Sequence, residues 1–545
     1  MAAQPVDVLV VGAGIVGAAV ARDAAMRGFR TAVIDKGDFG CATSSRSSRL
    51  VHGGLRYLET GDFRLVFEAS RERRILLGLA PHLVRPLPFI MPVYAGARVR
   101  AWKLRIGMWL YDALAAFRNV HRHRWLGPRE ALRADPGLRH KGLRGAALYY
   151  DAQADDARLV LATARSAARA GALVANYAEV TSLLKPDGAM RGAVVRDGLS
   201  GAVHSVRALV VVNAAGPWLD AVRRLDDPQA APLLRLTKGA HVAVPRTRLT
   251  SPSAVTLISP IDGRVLFVLP WDDISYIGTT ETEFAGAPED VRATGEDVVY
   301  LLRSANAFFP DARLTPDDVI STWAGLRALI NPHTARAPGA VSREHRVHQS
   351  ASGLVTIAGG KLTTHRVMAR DVVDVVAARL RRLDGRPIPA RAATDQQPLP
   401  GGEAADLEVL VDSLLVRNIK EPTARHLVAN YGSEAAAVAN LVEKNRVLGR
   451  PLIEGRPEIR AEVAHAIERE MAVRLTDVLA RRLHLFHLAP AASVKVAAAV
   501  ARKMRELLDW SADREADELA DYREEVKRAR MFTAEVARAA RPSLR

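Results

Sequence analysis

Apolar and polar positions alternate in three regimes along the chain. Val6 to Val11 reads V-D-V-L-V-V, a β-branched run that fits a buried central strand of a parallel sheet. A glycine turn and a helical stretch follow, then a second apolar strand, Thr31 to Ile34. Asp62 to Leu79 predicts a helix, with Phe63, Val66, Phe67, Ile75 and Leu79 set among charges. Pro81 to Pro92 holds four prolines and predicts an irregular crossing or edge segment. Ala157 to Gly171 reads as a helix, Ala172 to Val206 as short strands with turns, and Ala208 to Asn213 as another buried strand.

The pattern changes between residues 226 and 320. Leu236 to Val244, Ala254 to Ile258, Arg264 to Trp271 and Ser275 to Thr279 are short runs broken by Pro, Gly and Asp, which predicts a separate antiparallel sheet. Leu354 to Ala358 is a last buried strand, running into Gly359, Gly360 and a helix from Leu362. That segment is expected to return to the first sheet. Beyond Pro398 the strand signal ends. Ala405 to Leu415, Thr423 to Tyr431, Glu434 to Asn445, Glu458 to Leu483 and Ala491 to Leu508 all read as helices, and the basic tail from Tyr522 to Arg545 is expected to fray.

The fold class is therefore α/β. A nucleotide-binding domain is built from residues 1–85, 146–225 and 321–395. A cap segment spans 86–145, an antiparallel-sheet substrate domain 226–320, and an all-helical C-terminal domain 396–545.

Residues 98 to 124 stand apart. Trp102, Ile106, Trp109, Leu110, Ala113 and Phe117 share one helical face. Arg98, Arg100, Lys103 and Arg105 lie at one end, and Arg118, His121, Arg122, His123 and Arg124 at the other. Two readings stand: a helix packed on its own core, or a helix lying in a membrane interface with tryptophans at the boundary and cations on headgroups.

Composition narrows the classes. The chain has 545 residues, enough for two or three domains, with 49% apolar and 25% charged positions. No run of 18 or more apolar residues occurs, so a spanning helix is not expected. The first strand starts within a few residues of Met1, leaving no room for a cleaved signal peptide. Cys41 is the single cysteine, so no intrachain disulfide can form; it reads as a small buried residue rather than a redox thiol. The formal net charge of +17 suits a solvated basic surface, an anionic membrane, an anionic substrate or nucleic acid. No interleaved aromatic-and-basic nucleic-acid motif is present, so nucleic acid is not an expected partner.

Gly12, Gly14 and Gly17 form G-x-G-x-x-G between the first strand and a helix. The first glycine allows the tight turn, the second lets a pyrophosphate approach the backbone, and the third lets helix pack on strand. The helix N-terminus favours a bound phosphate. Asp35, at the end of the second strand, is placed to hold a ribose hydroxyl, which points to NAD or FAD rather than NADP. Spacing alone does not choose between those two. Cys41 to Leu58 is dense in hydroxyls, glycines and cations: Thr43, Ser44, Ser45, Arg46, Ser47, Ser48, Arg49, His52, Gly53, Gly54, Arg56 and Tyr57. Small hydroxyls can donate to phosphate oxygens, and Gly53-Gly54 permits close backbone approach to a flat ring.

The segments G-A-G-I-V-G-A-A-V-A-R-D, C-A-T-S-S-R-S-S-R-L-V-H-G-G-L-R-Y-L-E, V-N-A-A-G-P-W, K-G-A-H-V-A-V-P-R, W-A-G-L-R and G-G-K-L-T-T-H-R resemble FAD-dependent glycerol-3-phosphate dehydrogenase from about residue 6 to 370. The helical end, with A-R-H-L-V-A-N-Y-G-S, is similar to that family's C-terminal domain. The resemblance implies an FAD-binding Rossmann-like domain. It implies oxidation of sn-glycerol 3-phosphate to dihydroxyacetone phosphate, by hydride transfer from C2 to flavin N5, with electrons passed to a membrane quinone. It places the protein in the cytoplasm, peripherally on the anionic surface of the inner membrane, and leaves a homodimer open. The cofactor set it implies is Gly12, Gly14, Gly17, Asp35, Thr43, Ser44, Ser45, His52, Gly53, Gly54, Ala215, Gly216, Gly360, Lys361, Leu362 and Thr363. An oxidase using oxygen and releasing hydrogen peroxide is the alternative within the same chemistry.

A phosphate monoester carries close to two negative charges and suits arginine's planar fork, with lysine as a point charge. By family position the matching residues are Arg56, Tyr57, Arg327, Arg343 and Lys361, with His241 nearby. His241 and Lys361 are both candidate bases, and Arg327 is expected to serve turnover as well as binding. Two departures from the family pattern are expected to reshape the pocket: Ala328-Leu329-Ile330-Asn331 after W-A-G-L-R, and His365 where a tyrosine is usual. No EF-hand loop follows the catalytic part, so a calcium-regulated form is not supported.

Overall fold

The computed structural model describes residues 1, 4–54, 61–115, 119–331 and 344–539. Its strands run β1 (Val6–Val11), β2 (Thr31–Ile34), β3 (Leu50–Val51), β4 (Val84–Tyr94), β5 (Arg124–Leu126), β6 (Leu143–Ala154), β7 (Leu173–Ala175), β8 (Ala178–Leu184), β9 (Gly192–Asp197) and β10 (Val203–Asn213). They continue with β11 (Leu234–Pro245), β12 (Ala254–Ile258), β13 (Val265–Trp271), β14 (Ile274–Gly278), β15 (Thr282–Glu283), β16 (Ser321–Ile330), β17 (His345–Gln349) and β18 (Val355–Gly359).

The first sheet has the order β17-β18-β10-β1-β2-β7, parallel from β18 to β7, with β17 antiparallel at the edge. All six residues of β1 are buried, as a central strand covered on both faces requires. Val8, Val10, Val33 and Val212 pack beneath the helices Ile15–Met26, Asp156–Arg169 and His365–Asp384. Leu9, Val11, Ile34 and Val211 face the other way, onto the β8-β9-β10 meander and the helix Leu219–Asp226. The strand expected over Leu354 to Ala358 does return to this sheet, with Val212 opposite Val355.

The second sheet is mainly antiparallel, in the order β15-β11-β14-β13-β12-β4-β6-β3, with β16 also on β11 and β5 on β6. It draws on more of the chain than residues 226–320. Both β4 and β6, which overlap the expected cap span, and β16, inside the span assigned to the nucleotide domain, belong to it. The proline-rich segment is a correction: β4 is an eleven-residue strand paired with β6 along its length. Pro86, Pro88 and Pro92 share parity along the strand, so their missing N–H groups fall on one side, and an antiparallel partner needs only every second residue. The helix Gly295–Asn306 also lies within the span read as strands; it buries Val298, Leu301, Leu302 and Ala305 at helical spacing.

The C-terminal domain is helical, but Glu458 to Leu483 is not one helix. Arg460–Glu470 ends at Met471 with φ +53, and a π-helical turn follows at Asp477–Arg482. The expected frayed tail is a second correction. Residues 512–529 and 532–539 are helices, and Tyr522 and Phe532 are fully buried. Phe532 enters the core of the second sheet, and Glu535 accepts from Gly295 N at 2.7 Å, capping the helix Gly295–Asn306. Charge along the tail concealed these anchors.

The helix Ala101–Leu114 turns Leu104, Met108 and Tyr111 inward. It leaves Trp102 55%, Ile106 60% and Trp109 60% exposed. The face that the sequence marked as apolar is thus not packed on the described core; Phe117 lies outside the described residues.

Candidate active site

The glycine turn follows β1 directly. Gly12 has φ +98, and a Cβ there would stand 2.7 Å from Ala214 O. A Cβ on Gly17 would stand 1.8 Å from Gly12 O, so the third glycine serves helix-on-turn packing. Gly14 is the N-cap of Ile15–Met26 and has no side chain to cap it. Ser44 Oγ accepts from Ile15 N at 3.1 Å, and the helix N-terminus faces the cavity, where it favours an anion. Asp35 accepts from Ala13 N at 2.6 Å and Gly37 N at 2.9 Å. Burial nevertheless raises its carboxyl to about 6, those two N–H bonds opposing the shift.

Distant segments close around this turn. Thr43 Oγ1 donates to Leu326 O on β16 at 2.6 Å, and His52 N donates to Thr363 Oγ1 at 3.3 Å. After β10, Ala215 N donates to Asn213 Oδ1 at 3.2 Å. At the end of β18, Gly359 and Gly360 take φ +74 and +86, and a Cβ on Gly360 would strike Met368 Sδ at 2.3 Å. Only glycine fits these positions.

Together they enclose one cavity of about 1410 Å³ between the two sheets. Gly12, Gly14, Asp35, Thr43, Ser44, His52, Gly54, Ala215, Gly216, Gly360, Lys361, Leu362 and Thr363 line it, and so do His241 and Arg327. Gly17, Ser45 and Gly53 do not. Gly53 backs the wall: a Cβ would meet Tyr111 Oη at 2.3 Å, and its N–H donates to Asp151 Oδ1 at 3.0 Å. Arg56, Tyr57 and Arg343 lie outside the described residues.

The polar end is built on β11 and β16. Arg327 Nη2 donates to Thr279 Oγ1 at 3.0 Å, and both terminal nitrogens donate to Thr280 O at 3.3 Å. Gly239 makes room for the guanidinium, since a Cβ there would stand 2.5 Å from Nη2. His241 is 2% exposed. It stacks on Trp323 with centroids 5.1 Å apart and planes 13° from parallel, and Gly278 closes on it so tightly that a Cβ would be 2.0 Å from Cδ2. Burial, with Arg327 adding to it, pushes His241 down to about 3, so the ring is neutral. Nε2 lies 2.8 Å from Ser48 Oγ, while Nδ1 is buried with no hydrogen-bond partner.

Ser48, Trp323 and Arg46 had no site role in the sequence reading, yet Ser48 and Arg46 line the cavity and Trp323 supports His241. Ser48 and Arg46 sit in the hydroxyl-rich stretch, and Trp323 opens the W-A-G-L-R segment, where only Arg327 was given a role. Both departures border the site: Ala328 and Leu329 line the cavity, and His365 is buried behind it, 2.7 Å from Leu362 O.

The site fits FAD on its own terms. Two glycines hold side chains away from the helix N-terminus, small hydroxyls stand beside it, a carboxylate faces it, and the cavity continues to a second cationic end. Residues 7–373 match the FAD dependent oxidoreductase family, and residues 392–515 match the C-terminal domain of alpha-glycerophosphate oxidase. The aerobic glycerol-3-phosphate dehydrogenase of Staphylococcus haemolyticus is 34% identical over 87% of this chain and 86% of its own length. Glycerol-3-phosphate dehydrogenase 2 of Mycobacterium tuberculosis is 38% identical over 95% of this chain and 87% of its own. A crystal structure of the glycerol-3-phosphate dehydrogenase from Bacillus halodurans complexed with FAD superposes with a TM-score of 0.82 at 30% identity, covering 98% of this chain and 96% of that one. With that site, both sheets and the helical end matched, the chain belongs to the family of FAD-dependent glycerol-3-phosphate dehydrogenases.

Proposed function

We propose that this chain oxidises sn-glycerol 3-phosphate to dihydroxyacetone phosphate and passes the electrons to a quinone at the inner face of the cytoplasmic membrane. The observation that carries the substrate assignment is one cavity holding both the glycine turn and the cations Arg327 and Lys361. Arg327's fork suits a dianionic phosphate, and Lys361 adds a point charge. Gly12, Gly14, Asp35, Thr43 and Ser44 would hold the nucleotide end of FAD, with Gly360 to Thr363 toward its ring. FAD, when bound, supplies the acceptor for the hydride leaving C2. Arg327 and Lys361 orient the ester by its remote phosphate, which places C2 and lowers the entropy cost of reaction.

The quinone and membrane reading is supported by the helix Ala101–Leu114. Trp102, Ile106 and Trp109 are exposed beside Lys103 and Arg105, and Leu104, Gly107 and Leu110 of the same helix line the cavity. An apolar surface with basic flanks is what an interfacial helix presents to anionic lipid, and here it adjoins the cavity. Among the described residues no helix is long and apolar enough to cross a membrane.

Anaerobic mixing with glycerol 3-phosphate tests the substrate: the flavin absorbance is expected to bleach, and glycerol alone is expected to leave it unchanged. Bleaching by glycerol, or none by the ester, would overturn the reading. In air without quinone, one equivalent of hydrogen peroxide per turnover would favour the oxidase instead.

A further inference from the structure

We infer that Ser48 is a catalytic residue, the hydroxyl that receives the C2 hydroxyl proton of the substrate while delivering its own to His241. The inference rests on the substrate reading above.

His241 lines the polar end of the cavity, but neither of its ring nitrogens is open to it. Trp323 covers one side of the ring and Gly278 crowds another. Nδ1 is shielded from solvent, and the ring as a whole is 2% exposed. Nε2 is already engaged by Ser48 Oγ at 2.8 Å. Ser48 is only partly buried and lines the cavity. A proton leaving the cavity for His241 therefore has Ser48 Oγ as its route.

The dyad is held from several directions. Tyr276 Oη donates to Ser48 O at 3.0 Å, and Trp323 Nε1 donates to Ser47 O at 3.1 Å. Ser47 N and Oγ donate to Asp156 Oδ2 at 3.1 and 2.7 Å. Trp323 thus fixes both members, the ring by stacking and the serine backbone by its indole N–H. A relay needs this kind of fixed donor-to-acceptor spacing.

FAD, held by Gly12, Gly14, Asp35, Thr43 and Ser44, would supply the two-electron acceptor for the hydrogen and electron pair leaving C2, and the C2–O bond becomes a carbonyl. The O2 proton bonds to Ser48 Oγ, and the original Ser48 hydroxyl proton bonds to His241 Nε2, giving an imidazolium. After product leaves, the proton returns through Ser48 Oγ to solvent in the cavity. Burial opposes the imidazolium most, and Arg327 adds to that in the free protein; a bound dianion on Arg327 offsets the second of these.

The test is anaerobic stopped-flow bleaching of the flavin-loaded full chain by glycerol 3-phosphate, across pH, for wild type, Ser48→Ala, Ser48→Thr, His241→Gln and the double variant Ser48→Ala/His241→Gln. Ser48→Ala is expected to slow saturated bleaching about 100-fold with the substrate dissociation constant unchanged. Ser48→Thr, which keeps the hydroxyl, restores most of the rate. The double variant is no slower than the slower single one, because the two act as a unit. Wild-type rate and pH profile in Ser48→Ala, or losses that multiply in the double variant, would overturn the relay while leaving the substrate reading intact. No bleaching of wild type would overturn both. Should Ser48→Ala not retain flavin, Ser48→Cys carries the test: a thiol in the relay must move the acidic limb of the pH profile, and an unmoved limb overturns it.

Discussion

Arg482, 1% exposed at its side chain, donates to Asp38 through Nη1 at 2.5 Å and Nη2 at 3.0 Å. Asp38 lies three residues beyond Asp35, in the loop whose Gly40 N donates to Ala13 O at 3.1 Å within the glycine turn. Arg481 Nε reaches the same carboxylate at 2.6 Å. The C-terminal domain is thereby ion-paired to the loop beneath the nucleotide site. The two guanidinium groups hold Asp38 well below the usual carboxylate range despite its burial. Arg482→Met would leave Asp38 buried with half of its side-chain hydrogen bonds, those from Arg481 and Asn176. The expected loss is about 3 kcal/mol of stability, read as a lower denaturant midpoint, with flavin released earlier than from wild type. An unchanged midpoint would show the pair to be dispensable.

Arg327 is held by Thr279 and Thr280, so its position does not depend on substrate. Arg327→Met is expected to lower kcat/KM for the ester by about 100-fold, ~3 kcal/mol, the worth of charge-assisted bonds to a phosphate. Arg327→Lys should recover part of that, since a point charge cannot reproduce the fork. Steady-state kinetics would check both, and a change in KM alone would mean that the phosphate contact does not strengthen in the transition state.

Buried histidines make the fold sensitive to acid. His82 and His241 are pushed down to about 3 and His365 to about 4, burial being the largest cause in each. Their folded values lie below the ordinary value of 6.5. Between those limits the unfolded chain binds more protons, so stability present above pH 6.5 is lost as pH falls toward 4. His365→Tyr, which removes the imidazole and keeps a ring, should flatten this slope by one proton. Urea midpoints at pH 7 and pH 5 give the readout, and an unchanged slope would refute the assignment.

Trp102 and Trp109 are exposed and do not line the cavity. The pair Trp102→Ser/Trp109→Ser should therefore bleach with glycerol 3-phosphate at the wild-type rate. Its binding to vesicles containing anionic lipid should weaken by about ten-fold, ~1.4 kcal/mol. Salt should weaken wild-type binding as well. Co-sedimentation of both proteins with the vesicles would measure it, and equal binding by the variant would remove this helix from the membrane reading.

What the sequence disclosed was local. The β1–glycine–helix unit and Asp35 were legible because an apolar β-branched run, a turn residue and a helical stretch lie within thirty positions of one another. What it concealed depended on partners far away. Ser48 gains its meaning from His241, 193 positions on. Pro86, Pro88 and Pro92 looked like strand breakers until the register with β6 showed that they share one parity. Gly53 read as clearance for a ring and instead makes room for Tyr111. The tail's charge gave no hint that Phe532 closes a core.

The bed of the first sheet is assembled from strands widely separated in the chain: β1 at residues 6–11, β10 at 203–213 and β18 at 355–359. Such non-local pairing is slow to form and leaves unpaired edges while it is pending. A nascent chain carrying an intact G-x-G-x-x-G has only half a receptacle until Gly360 and Lys361 have emerged. The flavin can lodge fully only once the chain has been made past β18.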